Sequence, residues 1–142
     1  MPNFQLIHSN PEPLKNCLVV EIDGLKVSSL KVFFDKMSKA LSFPDDFEFN
    51  LESFDDMMYD LSWLNVPKIV LYFTNFEAFL STEKATKRAE VLEILDVAAE
   101  EWKWVDEDEG IPQKELNIWI QYSPKTAEIL QAVGIGFEVE SQ

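Results

Sequence analysis

The sequence predicts an α/β fold: a small, mostly parallel sheet of about three core strands with helices packed on it. Three observations carry that prediction. Residues 17–22 (CLVVEI) and 69–73 (IVLYF) are short apolar runs, the second with no polar residue. Such runs suit strands covered on both faces, as in a parallel sheet with helices above and below. Strand-like and helix-like stretches alternate along the whole chain, which is the pattern of a layered α/β structure.

In order, residues 4–8 (FQLIH) read as a short strand, and Pro11 and Pro13 interrupt the chain after it. The run 17–22 is the first core strand, ended by the turn signal Asp23-Gly24. Ser28 or Ser29 can cap a helix to about Leu41, with Leu30, Phe33, Phe34, Met37 and Leu41 on its buried face. Pro44 ends that helix. A second helix starts after Asn50, a good N-cap. Leu51, Phe54, Met57, Met58 and Leu61 fall on one of its faces, and Glu52, Asp55, Asp56, Tyr59, Asp60 and Trp63 on the other. Pro67 precedes the strand 69–73, and residues 75–80 read as a short helix. A long helix is expected over roughly 86–105, with Val91, Leu92, Leu95, Ala98, Ala99 and Trp102 facing the core. Residues 106–110 (DEDEG) read as a solvated loop. Residues 116–122 (LNIWIQY) alternate as a strand. Pro124 suits the first turn of a last helix ending near Val133. Gly134 and Gly136 break it, and 137–140 can form a final strand. The chain is expected to be one domain over 1–142.

Composition excludes several classes of function. The 142 residues carry a formal net charge of −14, and 46% are hydrophobic. A packed core is therefore expected rather than disorder. So acidic a chain is the wrong sign for nucleic acid and the right sign for a basic partner, whose approach opposite fields accelerate. Cys17 is the only cysteine, so no internal disulfide and no thiolate metal cluster can form. It reads as a small buried hydrophobe. Met1 opens no signal-peptide pattern and no apolar run has membrane length, so a cytoplasmic location is expected.

The inventory for chemistry is thin, and no catalytic residue, metal ligand or cofactor is assigned. His8 is the only histidine and reads as a surface or packing residue. The glycines are scattered, so no phosphate-cradling loop exists, and the G-x-S-x-G nucleophile elbow is absent. Asp55 and Asp56 are adjacent on an exposed helix face. They lack the apolar surroundings that separate the pKa values of a catalytic carboxylate pair. The 106–109 acids lack the spacing of a calcium-binding EF-hand loop.

What remains is the stretch 43–64, FPDDFEFNLESFDDMMYDLSWL. It holds Asp45, Asp46, Glu48, Glu52, Asp55, Asp56 and Asp60 and no Lys or Arg. Like charges at helical spacings of three and four repel by a few tenths of a kcal/mol each. A row of them costs stability, and that cost invites a reason. On charge alone it reads as the surface of an acidic α/β interaction module that binds some basic protein.

This stretch, with the strand after it, resembles the barstar family of ribonuclease inhibitors. The resemblance rests on Phe43-Pro44, Asn50-Leu51, an acid at Glu52, Phe54, an acid at Asp56, Trp63 and Pro67 before the apolar run 69–73. The flanking order of elements fits over about residues 17–122, which leaves 123–142 as a helix–strand extension of a three-layer barstar-like fold. The resemblance implies an inhibitor or immunity protein that plugs the active site of a basic ribonuclease with its acidic loop and helix. It places the acid at Asp56 in the phosphate pocket and that at Glu52 beside it. The implied partner-binding set is Asp56, Glu52, Asp55, Asp46, Phe47, Glu48, Asp60, Tyr59 and Trp63, with Phe47, Tyr59 and Trp63 as apolar anchors. The chain departs from the family pattern in several places. Asp46 and Phe47 stand for an aromatic pair, Glu48 for a glycine and Asp55 for a frequent Trp. The acid of the long helix falls near Val97, with Asp96 or Glu100 close by. Such changes fit a relative tuned to a different target.

Overall fold

The computed structural model describes residues 2–9, 11, 16–104 and 114–140. Among these residues five strands form one sheet: β1 (Phe4–Ile7), β2 (Cys17–Asp23), β3 (Lys68–Thr74), β4 (Glu115–Gln121) and β5 (Phe137–Val139). Four α-helices of the described residues accompany them: α1 (Leu30–Ala40), α2 (Leu51–Asp60), α3 (Ala85–Lys103) and α4 (Pro124–Ala132). The strand order is β2-β3-β4-β1-β5, and every pairing is parallel. Parallel strands need crossover connections: helices lie between β2 and β3 and between β3 and β4, and α4 carries the chain from β4 past β1 to β5.

The sheet has five strands where about three core strands are expected. The short segment 4–7 lies inside it, between β4 and β5, with Phe4 beside both Ile118 and Phe137. Local apolar content marked it only as a short strand. Its central place comes from pairing with residues far along the chain. The expected 123–142 extension supplies the other neighbour, so it is built into the sheet.

Side chains alternate across each strand, and residues in register share a face. Val20 and Ile22, Leu71 and Phe73, Ile118 and Ile120, and Phe4 and Leu6 share one face and belong to the main core. Phe33 and Phe34 of α1, Phe54 and Met58 of α2, Leu92 and Leu95 of α3 and Leu130 of α4 join the same cluster. Helices above and below the sheet are the expectation. Among the described residues, the helices' buried side chains gather on this one face. Val70 and Tyr72 of the opposite face are buried but lie outside that cluster. Cys17 also lies on the opposite face and is half-buried rather than buried. Partial burial pushes its thiol pKa up against the opposing pull of the Lys68 charge.

The caps follow the sequence. The side chains of Ser29, Asn50 and Ser123 cap α1, α2 and α4. The expected 75–80 helix contracts to a single 3-10 turn, Phe76–Ala78. Leu80 N–H donates to the Val27 carbonyl and Thr82 N–H to that of Ser28, which draws the backbone away from a helical path. That turn packs so closely on Gly24 that a Cβ there would collide with the Asn75 carbonyl oxygen. Residues 105–113, with the expected acidic loop at 106–110, lie outside the described residues. Among the described residues no helix is long and apolar enough to cross a membrane.

Candidate functional site

The acidic stretch is fixed from beneath before it offers anything outward. Phe47 packs its ring on Phe43 and Phe34, with centroids 4.9 and 5.8 Å away. The Glu48 amide donates to Ser53 Oγ at 3.0 Å, and the Ser53 amide donates to Asn50 Oδ1 at 2.7 Å. These two bonds tie the loop to the first turn of α2. Phe54 and Met58, both 0% exposed, hold the helix to the core. The Phe54 ring meets Phe33 at 5.2 Å and Phe34 at 5.8 Å. From α3, the Trp102 indole N–H donates to the Met58 carbonyl at 3.0 Å. Leu61 closes the helix in a left-handed conformation, φ 49°, with its side chain in the core.

On this base the expected site residues fall into three groups. Asp46, Glu48, Glu52, Asp56 and Asp60 line one open cleft of about 450 Å³, floored in part by Ser53 and Met57. All five acids are exposed. Asp55 and Tyr59 face away from that cleft. They line a second groove of about 270 Å³ with Glu90, Glu93, Ile94 and Val97 of α3. Partial burial, with the charge of adjacent Asp56, raises the Asp55 pKa above the usual carboxylate value.

Phe47 and Trp63 form the third group, the first buried and the second half-buried. Phe47 is only 6% exposed. The loop turns it inward, where it completes the aromatic cluster above Phe34. Trp63 has no place on the outer helix face, because α2 ends at Asp60 and Leu61 redirects the chain. Its indole N–H donates to the Leu41 carbonyl at 2.8 Å, and its ring packs on Phe43. Near Val97, Asp96 and Glu100 turn elsewhere. Both accept from the Asn3 side chain, and Glu100 also from the Trp104 indole at 2.8 Å.

Electrostatically the cleft is one-signed. None of the ion pairs among the described residues includes an acid of the 45–60 stretch. Glu52 sits in the first turn, where the helix dipole favours an anion. Asp60 sits in the last, where it does not, and no base is there to offset it. Such a surface can receive cations. It holds no nucleophile paired with a base: His8, the single histidine, rests its ring on Tyr122, 4.6 Å away, at the end of β1. Among the described residues no group of three or more potential ligands could hold a metal ion. Phe49, Glu90 and Glu93 are features the periodicity did not single out. The first lies in a loop without a repeat, and the other two read as the solvated face of α3.

Residues 17–122 match the family model described as Barstar (barnase inhibitor). A protein of Bacillus subtilis (strain 168) named "Putative ribonuclease inhibitor YrdF" is 33% identical over 82 residues, covering 58% of this chain and 86% of that relative. The chain belongs to the barstar family, a family of inhibitors rather than enzymes.

Proposed function

We propose that this protein is a stoichiometric inhibitor of a basic nuclease, a ribonuclease, acting as an immunity protein that occludes the enzyme's active site. The observation that carries the reading is the cleft of Asp46, Glu48, Glu52, Asp56 and Asp60, five carboxylates on a helix and loop held to the core, with no ion-pair partner among the described residues. A ribonuclease holds the phosphates of its substrate with Arg, Lys and His. Carboxylates presented at the same spacing replace those phosphates through charge-assisted hydrogen bonds. Asp56 is the central residue of the site, with Glu52, Asp46, Glu48 and Asp60 around it. Asp55 and Tyr59 extend the contact along the α2–α3 groove. The family description and the name of the Bacillus subtilis relative support the choice of a ribonuclease.

The test is a titration of barnase and other basic ribonucleases with the purified protein, following RNA cleavage. An endpoint at one inhibitor per enzyme is expected for the true target. Binding of other basic proteins at the cleft, with every ribonuclease left fully active, would favour the interaction module without a nuclease partner.

A further inference from the structure

Six non-glycine residues among those described have positive φ: Asn16, Ser42, Phe49, Leu61, Asn75 and Leu80. Asn and Ser are small polar residues, and Asn in particular enters this region at low cost. Leu61 and Leu80 are 0% and 2% exposed, so burial of the side chain offsets the strain. Phe49 is different. It has φ 56° and is 52% exposed, so it is the bulky member of the set whose strain burial does not offset. One side of its ring leans on buried Phe47, centroids 4.7 Å apart. Its neighbour Glu48 lines the acidic cleft, as does Glu52 three residues on. A glycine would hold the same backbone without strain.

Resting on the inhibitor reading, we infer that Phe49 is a specificity-determining contact that receives an arginine or lysine side chain from the rim of the target nuclease's active site. The exposed face of the ring attracts a cation through its quadrupole. The carboxylates around it complement the same charge, and a guanidinium can stack on the ring while its N–H groups reach a carboxylate. The strained backbone holds the ring outward on the floor made by Phe47, so little side-chain freedom is lost on binding.

The test uses the ribonuclease that the unsubstituted protein inhibits, with Phe49→Gly, Phe49→Leu, Phe49→Tyr and Asp56→Ala measured side by side. Phe49→Gly should weaken inhibition about tenfold while the denaturation midpoint stays equal or rises, because the strain is relieved. Phe49→Leu should be as weak as Phe49→Gly, and Phe49→Tyr should restore inhibition to within about twofold. Phe49→Gly or Phe49→Leu inhibiting as well as the unsubstituted protein, while Asp56→Ala inhibits poorly, overturns this inference and leaves the inhibitor reading standing. A fall in inhibition matched by a fall in stability, and not restored by Phe49→Tyr, also overturns it. If the unsubstituted protein inhibits no ribonuclease, the inhibitor reading fails and this inference fails with it.

Discussion

Helices α2 and α3 are both rich in acids and pack against each other, yet they treat their charge in opposite ways. On α3, Lys87 lies 3.7 Å from Glu90, Lys103 lies 3.4 Å from Glu100, and Asn3 and Trp104 donate to Glu100 as well. On α2, Glu52, Asp55, Asp56 and Asp60 make no ion pair among the described residues, and Asp60 accepts only from the nearby Ser62 amide. Acid content alone is therefore a poor guide to a binding surface. What distinguishes α2 is charge left uncompensated on a helix whose other face is tightly held.

The largest effect should come from removing that hold. Phe54→Ala should destabilise the protein by about 3–5 kcal/mol in a denaturant melt, as truncation of a buried ring does. A loss below about 1 kcal/mol would mean that α2 depends little on its buried face. The next effect separates the helices directly. Asp56→Ala should weaken ribonuclease inhibition by about 2–5 kcal/mol, since the partner's cation is left buried and unpaired. Each 2 kcal/mol is about 30-fold. Its folding stability should stay equal or rise slightly as repulsion is relieved. Glu100→Gln, on α3 and outside the α2–α3 groove, should change inhibition by less than about threefold. Equal losses from the two variants would break the comparison.

Association should also report the difference. Raising ionic strength from about 0.01 to 0.15 M shortens the Debye length from about 30 to 8 Å. Stopped-flow association should slow markedly while dissociation changes less. Rates flat in salt would count against steering by the cleft.

The smallest effects concern pH, and the two helices should give opposite slopes. Partial burial and the charge of Asp56 raise the Asp55 pKa in the folded state. The fold then binds this proton more tightly than the unfolded chain does, so stability falls as pH rises through the interval between the two values. Asp55→Asn should remove that fall. The Glu100 pKa is lowered, first by the Trp104 indole N–H and then, against some desolvation, by Asn3 and Lys103. Its stabilisation is present above the unfolded value and is lost as pH falls through the folded one. Glu100→Gln should remove that loss. Denaturation midpoints taken from about pH 3 to 6 would show both. Parallel slopes would show that the two helices handle their charge alike.

The elements that the sequence made legible are those whose own residues decide them. The 3.6-residue spacing of Phe54, Met58 and Leu61 fixed α2 and its buried face, and Asn50 fixed its start. The unbroken apolar run fixed β3. Elements decided by distant partners were less visible. The four residues of β1 lie inside the sheet because 115–121 and 137–139 pair with them. The same limit applied to the candidate site. Asp55 and Asp56 are neighbours about 100° apart around α2, and only the approach of α3 sends them to different grooves. Phe47 and Phe49 stand two apart in a loop without a repeat, so nothing local says that the first turns in and the second out. Trp63 reads as helical until Leu61 takes its left-handed turn.

The strand order also bears on how the chain is made. Synthesis runs from the N-terminus, so β1 is made well before its partners in β4 and β5. The β2–β3–β4 part of the sheet joins strands in the order of their production, whereas β1 must wait, edges unpaired, until β4 and β5 have followed β2 and β3. Contacts of such sequence separation slow folding, and exposed strand edges invite association in the meantime. The α2 surface is complete in sequence by residue 60, but the sheet beneath it closes only after residue 137 has left the ribosome.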